Sequence, residues 1–293
     1  MRLLDRNSVL IGLEKLGMYP DDLARLQEAL HQPRGLIVTT GPTGSGKSTL
    51  LYSCLRALAD GQRKILTIED PVEYQLPFVT QSAVNRKVGL TFPVALRAML
   101  RQDPDVVMSS EVRDLETAER LIETALTGHL VLTALHPNVA SETPQRLIDM
   151  GIEPFLVAQT LVCMIGQRLV RRICPDCKAP LETSTSSSSV TRLRERAFVG
   201  GFEVPEGAVF YEGRGCATCR NTGYRGRIGL FEVLPVRPIM RNAIARRAPA
   251  EEISQLARGL SPVVRSLVAD GARKAVEGLT TVNEVLRVAP FEA

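Results

Sequence analysis

The stretch Gly35-Leu-Ile-Val-Thr-Thr40 followed by Gly41-Pro42-Thr43-Gly44-Ser45-Gly46-Lys47-Ser48-Thr49 decides how the rest of this chain is read. Six β-prone residues lead into Gly41–Ser48, which fits G-x-x-x-x-G-K-[ST], and a helical pattern begins at Lys47. Strand, glycine loop and helix in that order are the context in which this motif binds phosphates. The glycines free successive backbone N–H groups to wrap a β-phosphate, and the helix N-terminus adds its dipole. Lys47 is placed for the β- and γ-phosphates and Ser48 for Mg²⁺. Gly41, Pro42, Thr43, Gly44, Ser45, Gly46 and Thr49 complete the expected loop. A chance glycine-rich turn would not have all three parts in register.

Outward from this loop the pattern repeats. β-rich runs recur at Lys64–Ile68, Asp105–Ser109 and His129–Leu135, separated by helical patterns over Lys47–Ala59, Phe92–Arg101 and Asp114–Thr127. Such alternation predicts a parallel sheet with helices on its faces. Asp114 and Ser141 stand where helix N-caps belong. The longest apolar run, Phe155–Gly166, is too short to cross a bilayer and is expected to be a core helix. A phosphate loop also needs an acid for the metal and a group to orient water. The apolar run Val106–Met108 leads to Ser109, Ser110 and Glu111; with Ser110 where an Asp commonly stands, Glu111 alone is left for the Mg²⁺ shell. Glu69, Asp70 and Glu73 crowd a neighbouring strand end, a concentration of carboxylates that favours a functional over a solvated-loop reading.

The chain has 293 residues, 44% of them apolar, and a net charge of +4. That supports one large or two modest cores and excludes wholesale disorder. Arginine outnumbers lysine 30 to 6, which suits bidentate contacts to phosphate and carboxylate. So small a net charge, with 13 aromatic residues, argues against a nucleic-acid partner. No signal-peptide pattern opens the sequence, so the chain is expected to be cytoplasmic and its six cysteines to be thiols or metal ligands. Cys174-Pro-Asp-Cys177 and Cys216-Ala-Thr-Cys219 are two C-x-x-C pairs separated by 38 residues. Four thiolates suit a closed tetrahedral Zn²⁺ site, although this gap exceeds the usual finger spacing. Cys54 and Cys163 fall on apolar helix faces and are expected to be inert. The Ser/Thr tract Thr183–Ser189 is expected to be a mobile loop, and Pro238–Ala289 a small helical bundle.

Three longer segments carry a resemblance: TGPTGSGKSTLLY at 40–52, ILTIEDPVEYQL at 65–76, and GLTFPVALRAMLRQDPDVVMSSEVRDLETAERLIETALTGHLVLTALHPN at 89–138. Together they resemble the secretion ATPases of type II secretion and type IV pilus assembly, from about Arg2 to Arg287. The resemblance implies a RecA-like P-loop fold with four parts: a remnant of an N-terminal lobe at 1–30, an ATPase core at 31–167, a tetracysteine zinc element at 168–236, and a helical subdomain at 237–293. Much of an N-terminal lobe is expected to be missing. ATP, Mg²⁺ and Zn²⁺ are the implied cofactors. A homohexamer working on cytoplasmic domains of inner-membrane platform proteins is the implied assembly, placed at the inner membrane through those partners.

The resemblance also implies roles. Glu73 is the general base, Glu111 the metal-side acid and His136 a γ-phosphate sensor, while His129 is structural. Arg97 and Arg101, which share a helical face, and Arg113 could serve phosphate charge or a subunit interface; Arg2 resembles an arginine that approaches the nucleotide. The zinc element, with GYRGRIGLFEVL at 223–234 after it, favours pilus or pseudopilus assembly over retraction. Two departures are visible: Ser109-Ser110 replace a Val-Gly pair, and Val139 replaces an Asp. They keep open a non-hydrolysing nucleotide-binding scaffold, beside the more distant alternative of a hexameric nucleic-acid motor.

Overall fold

Strands β1 (Gly35–Thr40), β2 (Ile65–Glu69), β4 (Val106–Ser109) and β5 (Leu130–Leu135) are buried at every residue. A strand covered on both faces needs continuous apolar sequence rather than alternation, and this is what the runs contain. The computed structural model describes residues 11–182, 187–260 and 263–289. In chain order, helix α1 (Pro20–Leu30) precedes β1, and α2 (Lys47–Leu58) links β1 to β2. Strand β3 (Val79–Ala83) and helix α3 (Phe92–Met99) come before β4; α4 (Leu115–Leu126) joins β4 to β5. After β5 come α5 (Thr143–Asp149), α6 (Pro154–Thr160) and the long strand β6 (Leu161–Ile173). Strand β7 (Lys178–Pro180), helix α7 (Ser187–Val199) and strand β8 (Tyr211–Gly213) lead to β9 (Tyr224–Pro235). Helices α8 (Pro238–Ala245), α9 (Ala250–Arg258), α10 (Leu267–Val276) and α11 (Val282–Val288) follow.

The main sheet has the order β3-β2-β4-β5-β1-β6-β9, parallel throughout except for the β6–β9 pair. One apolar layer packs α3, α4, α6, α8 and α9 on one face, and the other packs α1 and α2. Both layers are needed because each strand has two apolar faces to cover.

Several expectations change. Phe155–Gly166 is not one helix: α6 ends at Thr160 and the chain enters β6 at Leu161 without a loop. An apolar run buried on both sides suits either element, and pairing with β1 and β9 decides it. Cys163 therefore lies in a strand. Asp114 does cap α4, accepting from the Thr117 N–H at 2.8 Å. Ser141 caps nothing, because a tight turn over Ala140–Glu142 places Glu142 at the start of α5. In the Ser/Thr tract, 183–186 lie outside the described residues, and Ser187–Ser189 open α7 instead of a loop.

Strand β6 runs through the expected boundary at 167/168, and its outer half with that of β9 carries a third core made with α7, α10 and α11. The C-terminal helices do not form one bundle: α8 and α9 join the main core, α10 and α11 the third.

A buried ion pair fastens α10 to β9. Lys274, 1% exposed, lies 2.5 Å from Asp270, and donates to the Gly229 carbonyl at 2.8 Å. The Phe231 N–H donates to Asp270 at 3.0 Å. Removing one member leaves an uncompensated buried charge, so Lys274→Met is expected to cost ~3–5 kcal/mol in denaturant unfolding. Arg237→Ala, at an exposed bidentate pair with Glu28, should cost less than ~1 kcal/mol. Equal losses would show that burial does not set the value of the first pair.

Candidate active site

The loop Gly41–Gly46 turns where β1 ends and α2 begins. Gly46 precedes α2 with φ +96°, and a Cβ there would lie 2.8 Å from Gln167 Nε2. Gly41, at φ +146°, would place a Cβ 2.6 Å from the Gln167 carbonyl oxygen. Both the backbone geometry and the closeness of β6 therefore demand glycine. The first N–H groups of α2 have no carbonyl one turn earlier and face the cleft beyond the loop. Lys47 folds back along the loop, donating to Gly41 O at 2.7 Å and Pro42 O at 3.0 Å. Burial lowers its pKa, with Glu111 acting in the opposite sense. Ser45 Oγ is buried and has no hydrogen-bond partner among the described residues. A loop at a helix N-terminus, a cation held only by loop carbonyls and an orphaned hydroxyl fit a phosphate chain.

The cleft in front of the loop measures about 900 Å³. It is lined by Thr43, Gly44, Gly46, Lys47, Ser48 and Thr49 of the loop and helix start, together with Glu73, Glu111, Arg113 and His136. Glu111, 15% exposed, is gripped by Arg113 at 2.5 Å and lies 3.4 Å from His136 Nε2. Ser109 points inward, its hydroxyl donating to the Glu111 carbonyl at 3.0 Å, and so shapes the turn that presents Glu111. Burial and the Glu69 carboxylate push the Tyr52 phenol well above its ordinary value.

The three crowded carboxylates separate. Glu69 is buried and accepts from Tyr52, from Thr67 Oγ1 at 2.7 Å and from Gln81 Nε2 at 3.0 Å. Asp70 pairs with Arg86 at 2.8 Å. Glu73 lines the cleft, and its backbone N–H donates to the Tyr52 hydroxyl at 3.1 Å.

Arg97 and Arg101 do not line the cleft. The helix tightens after Met99, which breaks their shared face, and Arg97 lies 3.7 Å from Glu116. Arg2 lies outside the described residues. His129 holds the end of α4, with Nδ1 at 3.0 Å from the Thr124 carbonyl. Sequence reasoning missed Tyr52, Leu169 and Arg227 in the cleft; only the pairing of β9 with β6 brings Arg227 there.

At the far end of the β6–β9 ribbon, the four cysteine sulfurs lie within 4.8 Å of one another. Separations of 3.9 Å for Cys174–Cys216, 3.9 Å for Cys177–Cys219 and 3.7 Å for Cys216–Cys219 match a tetrahedron with ~2.3 Å bonds, whose edges are ~3.8 Å. Burial alone would raise the Cys219 thiol, but N–H donors from Cys216 and Gly223 outweigh it and pull the thiol down to about 6. Donors aimed at sulfur are what a set of metal thiolates requires. Gly213 and Gly223 cross so closely that a Cβ on Gly213 would lie 2.0 Å from the Gly223 oxygen. The four cysteines could hold a structural Zn²⁺. Cys54 and Cys163 are buried elsewhere, where burial pushes the Cys54 thiol up to about 12 and Cys163 higher still.

A RecA-like parallel sheet, a phosphate loop and acids at the ends of the adjacent strands define a P-loop nucleotide-binding protein. Residues 1–287 match the family model described as Type II/IV secretion system protein, and the chain belongs to that family. It is 44% identical to Type II secretion system protein E of Pseudomonas aeruginosa over 288 residues, 98% of this chain and 55% of that one. Against Type IV pilus assembly ATPase PilB of Thermus thermophilus it is 43% identical over 286 residues, 98% of this chain and 31% of that one. The chain thus spans about half, or less, of these relatives. Its structure resembles the pilus retraction motor PilT bound to ADP, with a TM-score of 0.68, 27% identity, and 97% and 68% of the two chains covered. The ATPase DotB of Legionella pneumophila gives 0.65 and 25% identity, with 95% and 65% covered. No helix among the described residues is long and apolar enough to cross a membrane.

Protein purified without chelator is expected to carry ~1 equivalent of zinc. Cys216→Ser should release it and unfold the cysteine element while the phosphate-loop lobe stays folded, as read by metal analysis and limited proteolysis. Less than ~0.5 equivalent in untreated protein would overturn the metal reading.

Proposed function

We propose that this chain is the motor portion of an ATP-hydrolysing subunit that drives assembly of a pseudopilus or pilus. One observation carries the reading: Lys47 and Ser48 line a single cleft together with Glu73, Glu111 and His136. Phosphoryl transfer needs positioning and charge neutralisation more than covalent chemistry, and this set supplies both. Lys47 leaves its loop carbonyls for the β- and γ-phosphates. Ser48 and Glu111 would hold Mg²⁺, which would supply charge neutralisation at the phosphate oxygens. Glu73, steadied through its N–H on Tyr52, orients the attacking water and accepts its proton. His136, beside Glu111, contacts the γ-phosphate. The names of the relatives support the task, and the tetracysteine element favours assembly over retraction.

Two details favour hydrolysis over a nucleotide-holding scaffold. Ser109 turns its hydroxyl into the protein rather than into the cleft, and Val139 is buried. Of the departures from the family pattern, Ser109 and Val139 are thus turned away from the cleft, while Ser110 lines it. The chain is proposed to work as a homohexamer against cytoplasmic parts of inner-membrane platform proteins, with no nucleic-acid partner.

Lys47→Ala is expected to lose both nucleotide binding and turnover. Glu73→Gln and Glu111→Ala should lose turnover by ~10²-fold or more while affinity changes only a few-fold. Equal loss of affinity in all three would contradict these roles. A further cation from a neighbouring subunit commonly supplies much of the rate. The isolated chain is therefore expected to be monomeric and slow, and fusion to a hexamerising partner should raise turnover per subunit. Fast turnover independent of protein concentration would remove the catalytic reason for a hexamer.

A further inference from the structure

Arg168 occupies a position that the proposed chemistry does not use. It lies on β6, is 5% exposed, and sends its guanidinium in three directions. Nη2 donates to the Asn138 carbonyl at 2.7 Å and approaches Asn138 Oδ1 at 3.4 Å. Nη1 donates to the Gln167 carbonyl at 3.0 Å, and Nε donates to the Val288 carbonyl at 3.3 Å. Nη1 also stands against the phosphate loop, 2.9 Å from where a Cβ on Gly41 would be. One buried side chain thus touches the phosphate loop, the segment after β5 that carries His136, and the C-terminal end of α11.

The remaining contacts show that these attachments are built. Asn138 is held from its other side, its N–H donating to Glu142 at 2.8 Å. Two residues later the Ala140 N–H donates to buried Glu232 of β9 at 3.0 Å. Gly166 makes room for this contact, since a Cβ there would lie 3.1 Å from Glu232 Oε2. At its other end, α11 is tied to β6 through Glu284, which takes the Arg171 N–H at 2.9 Å and side chain at 2.8 Å. The helix is therefore fastened to β6 at both ends, but only the Arg168 end is shared with the His136 segment.

The chemistry of the partners matters. Hydrogen-bond partners of Arg168 among the described residues are oxygens of carbonyl groups, while the carboxylates of Glu142 and Glu232 attract it only through their charge. A buried guanidinium bound by dipoles responds to where the backbone lies, because its rigid planar fork satisfies those acceptors in one arrangement only. The carbonyl of Val288 belongs to the last turn of α11, where free carbonyls and the helix dipole favour a cation. If the His136 segment shifts towards a γ-phosphate, Asn138 must drag on this fork or leave it. Either event alters what holds the end of α11.

We infer that Arg168 is a positioning residue that couples the nucleotide state sensed by the His136 segment to helix α11. The inference rests on the nucleotide-site reading proposed above. It concerns transmission between two parts of one subunit, not the chemical step itself.

Hydrogen exchange on the full chain tests it, with Mg²⁺–AMP-PNP and Mg²⁺–ADP as probes and direct binding measured alongside. In the unaltered chain, amides of 282–289 should exchange at rates differing by ~5-fold or more between the two nucleotides. Arg168→Gln should bind both nucleotides and abolish that difference. Arg168→Lys keeps the charge but loses the fork, and should abolish it too, giving a second test if Arg168→Gln fails to fold. Arg171→Gln weakens the other anchor of α11 by removing its side-chain bond to Glu284 and leaving the backbone one, so it should lower thermal stability yet preserve the nucleotide-dependent difference. A folded Arg168 variant that keeps the difference overturns the inference. So does an unaltered chain that binds both nucleotides with no difference at α11. Failure of the unaltered chain to bind either nucleotide overturns the site reading as well, and the binding data separate that outcome from the others.

Discussion

Strand β6 is hydrogen-bonded along both edges, and most of what this molecule does follows from that. On one side it pairs in parallel with β1, so that Thr40, the last residue before the phosphate loop, stands opposite Gly166. On the other it pairs antiparallel with β9 over a register that runs from Cys163–Pro235 to Ile173–Tyr224. The inner half completes the main sheet beside the nucleotide cleft. The outer half projects beyond it, carries the third apolar core and delivers Cys174 to the thiol cluster. The phosphate loop and the thiol cluster thus share one backbone.

The acidic groups show how environment divides labour among identical side chains. Glu69 is buried and saturated by Tyr52, Thr67 and Gln81, so it serves as an anchor for the tyrosine that holds the backbone of Glu73. Glu111 stands between Arg113 and His136 with part of its surface in the cleft. Glu284 is buried between Arg171 and Arg287, whose hydrogen bonds outweigh the effect of burial and hold its carboxyl near 2. Only the second of these arrangements leaves a carboxylate able to take up a metal. Charge is neutralised in each, but by partners of different mobility.

The phosphate loop and four parallel strands were legible because their signals are local: glycine spacing, apolar runs and a capping Asp114. Strand β6 was not, since Leu161–Ile165 offers no periodicity when both faces are buried. Strand β3 was hidden differently, because Val-Thr-Gln-Ser-Ala at the sheet edge is polar and half exposed. The cysteines were legible as a set, whereas the crossing of Gly213 and Gly223 that closes the cluster depends on residues distant in sequence. In the cleft, Lys47, Glu73, Glu111 and His136 came from motif positions. Arg97 and Arg101 lie outside the cleft, because the helical spacing that joined them does not continue past Met99. Arg168 could not be singled out at all: its partners at Asn138 and Val288 are 30 and 120 residues away.

The direct join between α6 and β6 has a mechanical consequence. A loop between helix and strand would absorb rotation, but Thr160 ends one element and Leu161 begins the next. Helix and strand therefore behave as one bent rod. At ~3.3 Å per residue the seven residues of β6 beyond its pairing with β1 span ~23 Å, so a tilt of ~5° about Gly166 displaces the cysteine end by ~2 Å. A small angular change near the cleft is thereby amplified by length alone, and a metal at the tip would stiffen the part of the lever where deflection is greatest.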